Sequence, residues 1–97
     1  MTGGPEQRTA TRRLEIRNEK GLHARASAKF VEVVDRFDAR ARVSRDGLEA
    51  SGDSIMGLLM LAAARGTSID VRTEGPEADA LLDALDALVA DLFGEGM

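Results

Sequence analysis

Ninety-seven residues allow one small domain, and 43% hydrophobic with 31% charged residues is the balance of a soluble globular chain. A net charge of −4 with three Phe and no Trp or Tyr excludes a nucleic-acid binder, which needs cations for phosphates and aromatics for bases. No cysteine and one histidine exclude a disulfide scaffold and a structural metal site. No apolar run reaches the length of a membrane span or signal peptide, so no membrane partner and a cytoplasmic setting are expected.

Residues 1–10 carry Gly, Pro and Thr without period and read as a disordered tail, leaving 11–94 as one domain. Residues 13–17 alternate around Leu14 and Ile16, the pattern of a half-buried strand, and 18–22 form a loop. Over residues 24–36, Ala28, Val31 and Val34 recur at helical spacing beside Phe30 and Val33, with Phe37 just beyond, an apolar set that reads as core. Ala39, Ala41 and Val43 then alternate with Arg40, Arg42 and Ser44 in a second strand. Asp46-Gly47 is a hairpin turn, and 48–51 return. Asp53 and Ser54 each suit a helix N-cap, and residues 55–64 carry no charge, a helix stopped by Gly66. Leu58 and Leu61 on it should face the core.

Residues 67–73 alternate again, with Ile69 and Val71 inward. Gly75-Pro76-Glu77 opens the last helix, with Pro in the first turn and an acid suited to the dipole. Leu81, Leu82, Leu85, Leu88, Val89 and Leu92 form its apolar stripe, opposite Asp79, Asp83, Asp86 and Asp91, and Gly94 ends it. The order β-α-β-β-α-β-α predicts an α+β fold. We expect an open-faced β-sandwich, a four-stranded, mainly antiparallel sheet with three helices on one face.

The chemistry concentrates in residues 21–28. A lone histidine is most often a surface or core residue, but the setting of His23 differs in three ways. Gly21 permits a tight turn where strand passes to helix, and small Ala24, Ala26 and Ala28 let the backbone approach a bound group. Arg25 is a fixed cation with donors matched to phosphate oxygens, near Lys20 and Lys29. A helix N-terminus adds free N–H groups and a field that favours anions. Nucleophile, cation and anion hole thus share one short stretch. A hydrolytic site using Ser27 and Glu19 is the weaker alternative, since no substrate pocket is evident.

Gly21-Leu22-His23-Ala24-Arg25 resembles the active-site signature of the histidine-containing phosphocarrier family, HPr, of the sugar and nitrogen phosphotransferase systems. Ser54-Ile55-Met56-Gly57-Leu58-Leu59 resembles the family's regulatory serine motif at the family's spacing, and the similarity spans residues 12–93. The resemblance implies a stoichiometric carrier rather than an enzyme, with no cofactor of its own. Enzyme I, charged from phosphoenolpyruvate, would phosphorylate His23 through Nδ1, and an enzyme-IIA-type protein would receive the group. Arg25 would steady the phosphoryl oxygens. Ile55, Met56 and Leu59, with Ala24 and Ala28, would dock both partners.

On residue chemistry alone Ser54 is an ordinary N-cap; the resemblance adds phosphorylation there by the HPr kinase/phosphorylase. Two positions depart from the family pattern. Asp53 replaces a neutral or basic residue, which bears on kinase recognition. Ala26 stands where Pro is usual, which keeps the helix but loosens its first turn. Two other readings remain beside the carrier: a non-transferring regulatory adaptor acting through the apolar helix face, and a small-ligand regulatory domain. Whether the acceptor serves sugar uptake or nitrogen regulation is left open by these residues.

Overall fold

The computed structural model of the chain describes residues 8–95. Its elements run β1 (Thr9–Glu15), α1 (Ala24–Asp35), β2 (Arg40–Arg45), β3 (Leu48–Ser51), α2 (Ile55–Met60), β4 (Ser68–Glu74) and α3 (Ala78–Ala90), with a final 3₁₀ turn (Leu92–Gly94). This is the expected β-α-β-β-α-β-α order. The four strands lie in the order β1-β4-β2-β3, and every pairing is antiparallel.

Period-two alternation explains the layering. Leu14, Ala41, Val43, Ala50, Ile69 and Val71 turn to one face of the sheet and are buried under the helices. The register stacks them directly, with Leu14 opposite Ile69 and Val43 opposite Val71. Phe30, Val33 and Val34 from α1, Leu58 from α2, and Leu81, Leu82, Leu85 and Val89 from α3 close the core, as does Leu61 just after α2. The other face carries charge, including the pairs Arg13–Asp70 at 2.9 Å and Arg42–Glu49 at 2.8 Å. An α+β open-faced sandwich results. None of the helices in the described residues is long and apolar enough to cross a membrane.

Four local expectations need correction. Residues 1–7 of the expected tail lie outside the described residues, but Thr9 and Ala10 belong to β1, paired with Glu74 and Thr73. This half of the strand has no large apolar residue to reveal it. Its inward Arg12 instead reaches α3, donating to Asp86 at 2.7 Å and Asp83 at 3.1 Å. Those acids, expected on a solvated face, therefore tie helix to edge strand, as Asp79 does with Arg8. At the other end Arg17 falls outside the strand.

The second correction concerns α2, which ends at Met60 rather than near residue 64. Ala62 has a φ of 51°, and the carbonyls that would extend the helix are engaged elsewhere. Arg45 donates to the Leu61 oxygen at 3.0 Å, and the Leu22 N–H to the Ala63 oxygen at 2.9 Å. Third, α3 begins after Glu77, so Pro76 precedes the cap instead of sitting in the first turn. Fourth, Leu92 lies beyond α3, in a turn with left-handed backbone at Leu92 and Phe93, φ 57° and 54°. Phe93, buried completely, anchors that turn.

Candidate functional site

After β1 the chain is pinned against the segment that follows α2. Ile16 donates to the Thr67 oxygen and accepts from the Gly66 N–H, both at 2.8 Å. Gly21 then takes a φ of 67°, and a Cβ there would stand 2.5 Å from the Ala63 oxygen. Only glycine meets both demands. The Leu22 N–H bonds the same oxygen, and the His23 N–H donates to the Gly21 oxygen at 2.9 Å. The histidine backbone is fixed before its side chain is considered.

His23 is the N-cap of α1, with extended backbone (φ −80°, ψ −175°) and a side chain that accepts from the Arg25 N–H. That acceptor is Nδ1, at 3.3 Å. Nδ1 therefore turns a lone pair toward the start of a 12-residue helix, where the backbone dipoles favour negative charge. Nε2, at the other end of the ring, bonds the Glu95 carboxylate. Glu95 is also bonded by Asn18 Nδ2 at 3.1 Å, and the same amide nitrogen donates to the Gly21 oxygen at 2.7 Å. Burial pushes the Glu95 carboxyl up. Hydrogen bonds from His23 and Asn18, with the nearby charge of Lys29, outweigh that and hold it below the usual carboxylate range.

Beside the ring lies an open cleft of about 340 Å³ lined by Glu19, Lys20, Arg25, Lys29, Gly94 and Glu95. Lys29 Nζ donates to the Phe93 oxygen at 2.6 Å, tying α1 to the final turn. Lys20, Arg25 and Lys29 thus line one cleft, which meets the His23 ring at Glu95. Ser27 is buried, its Oγ donating to the Leu22 oxygen at 3.3 Å, so it does not serve as a nucleophile. Asn18 and Glu95 escape the sequence reading. Glu95 stands one residue past the expected domain end, and its only advance signal is a lone acid after Phe93-Gly94.

Ser54 is the N-cap of α2, its Oγ accepting from the Gly57 N–H at 3.0 Å. Asp53 is engaged locally by Ser51 Oγ at 2.6 Å. On α2, Ile55, Met56 and Met60 are 40%, 69% and 74% exposed, while Leu59 is half-buried. Ala24 is exposed and Ala28 half-buried on α1, which packs against α2. Leu58 and Leu61 are buried, as expected. Met60, read from the sequence only as part of a longer helix, is the most exposed large apolar side chain among the described residues.

A family model described as "PTS HPr component phosphorylation site" matches residues 10–91. Phosphocarrier protein HPr of Cupriavidus necator is 46% identical over 81 residues, covering 84% of this chain and 91% of its own length. Phosphocarrier protein NPr of Shewanella violacea is 42% identical, covering 87% of this chain and 92% of its own. The crystal structure of HPr-C-His from Thermoanaerobacter tengcongensis superposes with a TM-score of 0.86 at 32% identity, covering 91% of this chain and 99% of that one. The chain belongs to the HPr phosphocarrier family of the phosphotransferase system.

Proposed function

We propose that this member of the HPr family is a stoichiometric carrier whose His23 takes a phosphoryl group from phosphorylated enzyme I and delivers it to an enzyme-IIA-type acceptor. The observation that carries the reading is the cap: Nδ1 accepts from the N–H of Arg25 at the head of α1, and Arg25 itself lines the neighbouring cleft with Lys20 and Lys29. The Nδ1 lone pair forms the N–P bond as the donor's bond to phosphorus breaks and the donor leaves with its electron pair. Phosphoryl oxygens then take over as acceptors of the Arg25 N–H, and the guanidinium and helix field offset their charge. Transfer onward is the reverse displacement. Such chemistry needs mainly positioning and electrostatics, which a domain of this size can supply.

Ile55, Met56 and Leu59, with Ala24 and Ala28, form the docking face for both partners, and exposed Met60 extends it. Flexible thioethers suit a surface that must accept more than one partner. Phosphorylation of Ser54 by an HPr kinase/phosphorylase is tolerated by the helix start but places charge beside Ile55 and Met56, opposing docking. The whole cycle is assigned to the cytoplasm. A regulatory adaptor is the second reading, because the exposed face of α2 exists whether or not His23 carries phosphate.

Intact mass after mixing with enzyme I, magnesium and phosphoenolpyruvate separates the two. The carrier predicts one acid-labile phosphoryl group, lost in His23→Ala and kept in Ser54→Ala. An unmodified chain, alongside an enzyme I shown active on another carrier and after trial of its native enzyme I, would favour the adaptor.

A further inference from the structure

We propose that Glu95, held by Asn18, is a positioning residue that clamps the His23 ring through Nε2–H and so keeps Nδ1 free and aimed at the helix start. The inference rests on the carrier reading and adds a residue that His23 and Arg25 do not account for.

Three observations converge on it. The first is the ring itself. Nδ1 accepts from a backbone N–H and is therefore bare, so the neutral imidazole carries its proton on Nε2, which donates to Glu95. The two bonds hold the ring at opposite ends and leave little freedom about its χ2.

The second is Asn18, fully buried, whose Nδ2 faces two acceptors, the Gly21 oxygen and Glu95 Oε1. That orientation leaves Asn18 Oδ1 buried without a hydrogen-bond partner among the described residues. The amide nitrogen is thereby directed at the Gly21 oxygen and at Glu95 together.

The third is the backbone that brings Glu95 back. Leu92, Phe93 and Gly94 take φ values of 57°, 54° and 75°, a left-handed run that reverses the chain after α3. For two side-chain-bearing residues this is unfavourable, and burial of Phe93 with the Lys29 bond offsets it. The strained turn presents Glu95 to the imidazole.

The same arrangement acts through a transfer cycle. When Nδ1 carries phosphorus, the Nε2 proton stays on the ring, and the carboxylate accepts its hydrogen bond and opposes its loss to solvent. A ring protonated at Nε2 leaves phosphorus as neutral imidazole, so the phosphoryl group departs readily to the next acceptor. The other charged groups lining the cleft are Glu19 and Lys20 before α1 and Arg25 and Lys29 on it. None of them hydrogen-bonds a ring nitrogen through its side chain.

Nitrogen-15-edited proton NMR of the full chain tests the clamp before any phosphate is added. The wild type should show a slowly exchanging imidazole N–H correlated to His23 Nε2. Glu95→Ala should lose it, and Glu95→Gln, which keeps an acceptor oxygen, should restore it. With enzyme I and phosphoenolpyruvate, Glu95→Ala should slow maximal phosphoryl uptake on the order of tenfold at unchanged KM for the chain, with Glu95→Gln closer to wild type. No protected Nε2–H in a wild type that takes up phosphate normally would overturn the clamp and spare the carrier. A protected Nε2–H in a wild type that takes up no phosphate would overturn the carrier and Glu95's part in transfer together.

Discussion

Two side chains cap two helices in this molecule, and their surroundings differ. His23 caps the 12-residue α1 and Ser54 the six-residue α2, each accepting from a backbone N–H in the first turn. The ring of His23 meets Glu95 and the Arg25 N–H, and Glu95 and Arg25 line a cleft with Lys20 and Lys29. Around Ser54 the exposed neighbours are Ile55 and Met56. A helix start welcomes an anion in both places, so the cap alone does not separate a carrier from a switch. The neighbours differ. In the proposed cycle, cations and an oriented ring would suit a phosphoryl group that must arrive and leave, whereas apolar neighbours would turn the same charge into an obstacle to docking.

Removing the cation at the first cap should break the contrast most sharply. Arg25→Ala should slow phosphoryl uptake by His23 roughly 10- to 100-fold, the size of a lost charge-assisted hydrogen bond, read by timed intact mass. Arg25→Lys should recover only part, since an ammonium lacks the planar fork.

At the second cap the effect should be on recognition. Ser54→Asp keeps a good N-cap and mimics added charge. It should weaken binding to enzyme I about tenfold by calorimetry, with thermal stability held. Ser54→Ala should do the opposite. It removes the bond to the Gly57 N–H, costs about 1 kcal/mol in chemical denaturation, and leaves uptake at His23 unchanged.

Much of this contrast was legible in the chain. Alternation gave three strands and the helical spacing gave α1 and α3, because those patterns record which face meets the core. Gly21, His23 and Arg25 were legible because the turn, the lone histidine and the cation are near neighbours in the chain. What stayed hidden depends on contacts distant in sequence. The first half of β1 is held by pairing with β4 and by Arg12 reaching α3, and neither leaves an apolar trace. The end of α2 is set by Leu22, some 40 residues earlier, taking the Ala63 carbonyl. Glu95 reaches His23 across 72 residues through a left-handed turn that no local preference announces.

The smallest expected effect is a pH dependence at the first cap. A carboxyl held below its ordinary range stabilises the fold above that range, and the contribution is lost as pH falls through the lowered value. The stability difference between wild type and Glu95→Gln should therefore be full at neutral pH and shrink in acid below the ordinary carboxylate range. Urea denaturation across pH reads it directly.

Passage of the group onward tests the central claim most directly. The chain would be phosphorylated by enzyme I, freed of donor and phosphoenolpyruvate, and mixed with an enzyme-IIA-type acceptor while intact mass follows both proteins. The carrier account predicts that the chain loses its phosphoryl group as the acceptor gains one, mole for mole, on a timescale far shorter than spontaneous hydrolysis. A phosphoryl group that stays on His23, or departs only to water, with both an enzyme IIA of the sugar branch and one of the nitrogen branch present, would contradict it.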